Sequence, residues 1–284
     1  MAETEKGTFL SDLYDEKIRS FLHFLDKAKK TYEIEDIHQL RVNAKRINAI
    51  YQLIESATDL NFKADYHLKP IWDIFKSAGV LREGQVNLQL LQKYELHPDS
   101  MMIYNVFLEK SQITTIQKLK KAVKGFDKIA FDHTIGMIRN YCIQIGKKEL
   151  IGKMDSYIQG KAKFIKQLLG REQTPKNVHK IRMDLKAIDP ILSLLCKMNP
   201  ERYKSNSIVA LKETALQIGE WHDRVILIKS VRKLLKNRKE KNKSHNLTFR
   251  ELIDRIERDN LELLGKISDG LKETVRFILH PPPE

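Results

Sequence analysis

The stretch IHQLRVNAKRINAIYQLI, residues 37–54, returns 141 residues later as VHKIRMDLKAIDPILSLL, residues 178–195. In both copies the apolar residues step by three and four, as they do along one face of a helix, and they occupy the same offsets. The chain has 284 residues, so the repeat distance is almost half its length. We therefore predict two homologous halves, each containing one of these amphipathic helices.

A basic pattern, His-x-x-Arg-x-x-x-Lys, runs beside the apolar face in each copy. Each residue of the pattern comes directly after an apolar residue, which places it about 100° farther around the helix. From His to Lys the pattern covers roughly 10 Å of the helix length. One copy alone would be an ordinary solvated flank, but packing does not require the same charged residue types twice. Three donors at this spacing suit an extended anion better than a single ion. We therefore interpret the two triplets as ligand-binding residues: His38, Arg41, Lys45, His179, Arg182 and Lys186.

The charge of the chain is +14 and is unevenly distributed. Residues 1–141 carry a net charge of +2 and residues 142–284 carry +12. A basic half predicts a polyanionic partner and association that depends on salt. No run of about 18 apolar residues is present, and the acidic N-terminus lacks a secretory signal. We therefore expect a cytoplasmic protein with no membrane partner, in which Cys142 and Cys196 are buried thiols.

Helical periodicity dominates the chain, glycine and proline are sparse, and no strand pattern is convincing. The predicted class is all-α, with tandem helical-bundle halves at 1–146 and 147–284. Breaks are predicted at glycines and prolines, including Gly79, Gly152 and Gly219. A polar loop is predicted over 237–246 and a frayed tail at 280–284. The predicted helices are 9–30, 36–57, 64–79, 82–95, 101–124, 127–145, 150–169, 177–197, 201–219, 222–239 and 246–278.

A second similarity supports the duplication. The sequence Ala-Gly-Val-Leu-Arg-Glu at 78–83 matches Ile-Gly-Glu-Trp-His-Asp at 218–223. Glycine as a helix stop, followed by Glu83 or Asp223 near the next N-terminus, fits ordinary capping. Arg82 and His222 are less well explained, because a cation at a helix N-terminus is mildly unfavourable.

These two HxxRxxxK helices, each followed by a Gly-x-x-[basic]-[acidic] junction, resemble the CHAD domain (conserved histidine α-helical domain) over nearly the whole chain. The resemblance implies two helical-bundle halves related by a pseudo-twofold axis, with a basic groove or channel between them. It also implies binding of inorganic polyphosphate, in a targeting or scaffolding role that is compatible with association with polyphosphate granules. No ExExK signature is present, which indicates a member without a CYTH triphosphatase domain.

The resemblance also implies a set of binding residues. In the first half these are His38, Arg41, Lys45 and Arg46, and in the second half His179, Arg182 and Lys186. Arg82 and His222 join them at the junctions. The chain departs from the family pattern at Asn48, where a further Arg is common, and at its second-half counterpart Asp189. Pro190 follows inside the same predicted helix and should kink it or remove a hydrogen bond.

Other functions remain open at this stage. Nucleic-acid binding is compatible with the charge, although no stacking platform of aromatic residues interleaved with Arg is evident. A phosphoryl-transfer or hydrolysis enzyme would need a carboxylate beside the His and a positioned nucleophile, and no such motif occurs. We therefore expect no enzymatic activity and no cofactor. The histidines could donate hydrogen bonds, carry charge or pack; metal binding is least favoured, because neither copy has a second ligand at i+3 or i+4.

Overall fold

The computed structural model describes residues 8–57, 62–203, 205–237 and 243–279. Over these ranges the chain forms nine α-helices and no strand, so the predicted all-α class is confirmed. The predicted tail, 280–284, and residues 238–242 of the predicted polar loop lie outside the described residues, whereas the remaining residues of that loop are helical. The helices are α1 (Thr8–Lys30), α2 (Ile34–Ala57), α3 (Ala64–Lys93), α4 (Pro98–Lys124), α5 (Lys128–Gln144), α6 (Lys147–Leu169), α7 (Pro175–Met198), α8 (Ser205–Asn237) and α9 (Lys243–Leu279).

The predicted breaks at Gly79 and Gly219 are wrong, because α3 and α8 run without interruption through both glycines. A helical glycine costs only about 1 kcal/mol relative to alanine, so packing on both sides of it can keep the helix intact. Arg82 and His222 therefore lie inside long helices and not at helix N-termini. Gly152 likewise lies inside α6, and α7 continues past Pro190.

The helices pack against their neighbours in sequence and then across the chain. In the first half α1 contacts α2 and α4, and in the second half α6 contacts α7 and α9. The two halves meet where α2 contacts α7 and α3 contacts α8. Helix α5 packs against α1 and α3. The helices that carry the two basic triplets are thus direct neighbours.

Two hydrophobic clusters hold these helices together. The larger contains residues from all nine helices, on both sides of residue 146. The smaller joins the end of α3 to the start of α4, and the end of α8 to the start of α9. The division of the chain into 1–146 and 147–284, and the pseudo-twofold axis between the halves, stay predictions.

The apolar faces predicted for α2 and α7 are buried. Each buried Leu or Ile of this kind stabilises the fold by about 1.5–3 kcal/mol relative to the exposed state. Helix α7 begins at Pro175, and the Thr174 side chain caps it by accepting a hydrogen bond from the Asn177 backbone N–H at 3.3 Å. The buried positions are Ile37, Leu40, Ala44, Ile47, Tyr51, Ile54, Val178, Ile181, Leu185, Ile188, Leu192 and Leu195.

Candidate functional site

The two basic triplets come together where α2 crosses α7. At the centre of this contact the amines of Lys45 of α2 and Lys186 of α7 lie close enough together for each to shift the pKa of the other. Arg41 and Arg182 both disfavour the positive charge of Lys45, and Arg182 also disfavours that of Lys186. The repeat in the sequence therefore becomes one cluster of like charges in the fold, built from equivalent positions of the two copies. We call it the central cluster: His38, Arg41, Lys45, Arg82, His179, Arg182, Lys186, His222 and Lys229.

Arg41 is held in place by α3. Its Nη1 donates a hydrogen bond to the Phe75 backbone carbonyl at 2.6 Å, and its guanidinium lies 4.4 Å from the centre of the Phe75 ring. Gly79 leaves room for this guanidinium, because a Cβ at this position would lie 2.4 Å from Arg41 Nη1 and would displace it. The glycine that the sequence indicated as a helix stop instead makes room for a guanidinium.

Arg182, the equivalent residue of α7, is held differently. Its Nε is buried and has no hydrogen-bond partner among the described residues. A Cβ on Gly219, the counterpart of Gly79, would meet none of the described atoms within 4 Å. The nearby carboxylates of Asp223 and Glu83 favour the Arg182 charge. Arg182 therefore has a free donor for a ligand. Arg41, in contrast, already uses one of its donors in the hydrogen bond to α3.

Burial makes the two central lysines weak bases. It lowers the pKa of Lys45 to about 8, with the Arg41 charge as the next cause. It lowers the pKa of Lys186 to about 6, with the neighbouring Lys45 and Arg182 charges adding to the effect. A group with a pKa of about 6 is largely uncharged at neutral pH, so the ligand-free cluster holds less charge than its residue types suggest.

The histidines lie at the edge of the same cluster. Burial lowers the pKa of His38, and the Arg82 charge lowers it further. The ring of His179 stacks on that of His222, with centroids 5.5 Å apart. Partial burial and the proximity of His222 lower the pKa of His179. His222 Nδ1 lies 3.4 Å from Asp223 Oδ1 of the same helix.

Arg46 is not part of the central cluster. Its side chain is exposed and lines a separate cleft with Asp189 and Lys212. In α2, Arg46 is one residue and about 100° beyond Lys45, which is enough to place it on a different face of the helix. Arg46 therefore lies apart from the first triplet, and its role in binding the same ligand stays a prediction.

Sequence reasoning missed Lys229, which lies near His179 and Glu83. The sequence feature that indicates Lys229 is its separation from His222. Seven residues correspond to two helical turns, so both lie on the same face of α8. The same spacing relates Phe75, which supports Arg41, to Arg82 in α3.

The charges of the central cluster are only partly balanced. Glu83 and Asp223 are the carboxylates that act on its arginines. Six Lys and Arg side chains of the cluster therefore face two acidic ones within the described part of the chain. No group of three or more His, Cys, Asp or Glu side chains suitable for a metal ion is found in that part of the chain. The cluster is suited to bind an anion with several charges along its length.

Comparison with solved structures identifies the fold. The structure superimposes on the crystal structure of the CHAD domain from the plant Ricinus communis with a TM-score of 0.71 and 14% identity, over 95% of this chain and 93% of that chain. It also matches PptA from Streptomyces chartreusis with a TM-score of 0.62 and 10% identity, over 95% and 98% of the two chains. At these identities the likeness shows the fold, so the predicted CHAD-domain fold is confirmed.

Comparison by sequence alone gives no such match. No protein-family model matches it, and neither does any curated protein. None of the helices in the described ranges contains a stretch long and apolar enough to cross a membrane.

Proposed function

We propose that this protein binds inorganic polyphosphate in the central cluster and that it does so without catalysing a reaction. The chain then acts in the cytoplasm as a targeting or scaffolding module, with polyphosphate granules as the natural place to look for it. The cluster, with α2 and α7 facing each other, forms the basic groove between two pseudo-symmetric halves that the resemblance implies.

The observation that carries the proposal is the contact between Lys45 and Lys186. Two lysines that meet in a partly buried place, with two arginines nearby, destabilise the ligand-free fold. Leucine or methionine would pack at the same positions without this cost, and packing alone does not explain basic residues at both. A bound polyanion supplies the missing negative charge. Arginine contributes a fork of donors to phosphate oxygens and lysine contributes a mobile charge.

Nucleic-acid binding is the second candidate, because the same cations could bind the phosphates of DNA or RNA. Recognition of a nucleic acid normally adds contacts to bases by stacking or by hydrogen bonds to base edges. Beside the central cluster, the ring of Phe75 lies beneath Arg41 and Lys45. It is therefore occupied by cations and is poorly placed to stack on a base. Polyphosphate has no base to read and needs no such platform.

A competition titration tests the proposal. Labelled long-chain polyphosphate is bound to the full chain at near-physiological salt and displaced by unlabelled polyphosphate, duplex DNA or single-stranded DNA. Displacement by polyphosphate at a much lower concentration of phosphate units supports the proposal. Equal displacement by all three competitors contradicts it and indicates a general basic surface.

Variants then test the location of the site. Charge reversal of Arg41 together with Arg182 should abolish polyphosphate binding while circular dichroism shows unchanged helicity. The more conservative Arg182→Gln serves if the double variant does not fold, because the Arg182 Nε has no hydrogen bond to lose among the described residues. Unchanged affinity in a folded variant contradicts the assignment of the central cluster.

A further inference from the structure

A second charged cleft lies between α1, α2, α7 and α8, apart from the central cluster. It encloses about 300 Å³ and is lined by six charged side chains and by apolar ones from the same helices. It includes the two departures from the family pattern that the central cluster does not explain, Asp189 and Pro190, together with Arg46. The charged residues are Glu16, Lys17, Arg46, Asp189, Lys197 and Lys212.

The charges of this cleft do not cancel. Glu16 and Lys17 form a hydrogen-bonded ion pair, and this contact lowers the pKa of the Glu16 carboxyl. That pair is neutral as a unit. Among the described residues that line the cleft, Asp189 is then the single carboxylate left to balance three cations, those of Arg46, Lys197 and Lys212. The cleft therefore carries a surplus of positive charge.

Asp189 has an acceptor that the described residues leave unused. Its Oδ1 is buried and has no hydrogen-bond partner among them. A buried acceptor without a donor is costly, because the group has lost water and gained nothing in return. Burial accordingly raises the pKa of the Asp189 carboxyl against the opposite effect of Lys212 and Arg46. A ligand that presents a hydroxyl group at this point would satisfy it.

The fold does not require this cleft to be basic. The cleft formed by the corresponding helices of the repeat, α6, α7, α2 and α3, has three acidic residues among its lining: Glu55, Asp65 and Asp184. At an offset of 141 residues, Ser56 of that cleft corresponds to Lys197 of the basic one. A serine thus satisfies packing where the basic cleft has a lysine.

We propose that the cleft at Arg46, Lys197 and Lys212 binds a small phosphorylated compound that bears hydroxyl groups, such as a sugar phosphate. The three cations hold the phosphate, and a ligand hydroxyl donates to Asp189 Oδ1. The carbon skeleton lies on the apolar lining, which includes Pro190. The volume of the cleft fits a ligand of this size better than a polymer. This site is independent of the proposed polyphosphate site.

Calorimetric titration of the full chain with ribose 5-phosphate, orthophosphate and ribose tests the proposal. We expect ribose 5-phosphate to bind about tenfold more tightly than orthophosphate, and ribose not to bind. Asp189→Ala should reduce this preference to about one, because it removes the acceptor for the hydroxyl and leaves the cations. Absence of binding at millimolar ribose 5-phosphate overturns the proposal, and so does equal affinity for ribose 5-phosphate and orthophosphate in the unmodified chain.

A matched pair of variants separates this site from general charge. Lys197→Gln with Lys212→Gln should weaken ribose 5-phosphate binding about tenfold and leave polyphosphate affinity within a factor of about two at near-physiological salt. Lys163→Gln with Lys166→Gln removes the same charge from the exposed face of α6 and should change neither. An equal effect of the two double variants on ribose 5-phosphate overturns the site.

Discussion

Lys45 and Lys186 are the residues that most clearly lower the stability of the ligand-free fold while providing groups for ligand binding. Each has an amine that the fold takes out of water and places beside other basic groups, which raises the free energy of the folded state. Arg41 beside them is well supported by Phe75 and Gly79, whereas Arg182 is not. In the central cluster, Arg41 is thus held in place by its neighbours, whereas Arg182 has an unused donor.

Lys186→Met should stabilise the protein and weaken polyphosphate binding at the same time. Methionine fills a similar volume, and it removes the cost of keeping the Lys186 amine largely uncharged beside Lys45 and Arg182. We expect the free energy of unfolding to rise by about 1 kcal/mol in urea denaturation and the affinity for polyphosphate to fall about tenfold. The exposed Lys163→Met is the control, with little change in either quantity. A loss of stability in Lys186→Met would indicate that the lysine has a structural role.

Stability of the ligand-free protein should increase with pH across the neutral range. The pKa of Lys186 is about 6 in the fold against 10.5 in the unfolded chain. Between these values the unfolded state binds one more proton, and the free energy of unfolding therefore rises with pH. Urea denaturation at a series of pH values measures the slope. A slope in Lys186→Met equal to that of the unmodified protein would contradict this origin.

Polyphosphate binding should take up a proton at Lys186. A bound polyanion favours the charged amine, so at neutral pH the largely uncharged Lys186 gains about one proton and affinity falls as pH rises above about 6. Calorimetry in two buffers of different ionisation enthalpy counts the protons, with long chains chosen so that few terminal phosphates titrate. His38 and His179, whose pKa values are also lowered, change the affinity in the same direction. The uptake assigned to Lys186 is the part that is lost in Lys186→Met.

Among the helices, α3 and α8 show how equivalent elements of a repeat come to differ. Both contain a glycine at the same position, but Gly79 faces Arg41 and Gly219 faces open space among the described residues. Gly79→Ala should displace the Arg41 guanidinium and lower both stability and polyphosphate affinity. Gly219→Ala should stabilise the protein by up to about 1 kcal/mol, as alanine does in a helix. Thermal unfolding and the competition titration compare the two variants. Equal effects would show that the Arg41 contact is unimportant.

How much the sequence predicts also differs between helices. The buried faces of α2 and α7 were predictable, because apolar periodicity reports directly which side of a helix packs. The continuity of α3 and α8 was not, because a glycine inside a helix and one at its end have the same local signal. The position of Arg46 in a separate cleft was not predictable for a related reason. Periodicity gives the angle of a residue around its own helix but not which neighbouring helix lies opposite.

For the whole molecule, the repeat distance and charge asymmetry predicted a polyanion site, whereas the meeting of the two triplets depends on the crossing of α2 and α7. Local sequence contains no signal for that crossing, since it follows from how all nine described helices share the larger hydrophobic cluster. The second cleft was equally inaccessible to sequence reasoning. Glu16, Arg46, Asp189 and Lys212 are distant in sequence and belong to four different helices.

The net charge of +14 should make polyphosphate binding strongly dependent on salt, and the slope should report the contacts made in the central cluster. Each phosphate neutralised by the protein releases condensed counterions, so the logarithm of affinity falls with that of salt by about 0.7 per contact, by analogy with single-stranded nucleic acid. Arg182→Gln with Lys229→Gln should therefore reduce the slope by about 1.4, if each residue makes one phosphate contact. Titrations at several salt concentrations measure it.

The control for this slope is a variant of identical net charge. Lys163→Gln with Lys166→Gln changes the total by the same amount, but on an exposed face of α6. Charges farther from the ligand than a Debye length of about 8 Å act weakly at physiological salt, so the slope of this variant should equal that of the unmodified protein. If the two double variants lowered the slope equally, affinity would depend on net charge alone. The central cluster would then be one part of a diffuse basic surface, without a special role for the residues repeated in its two halves.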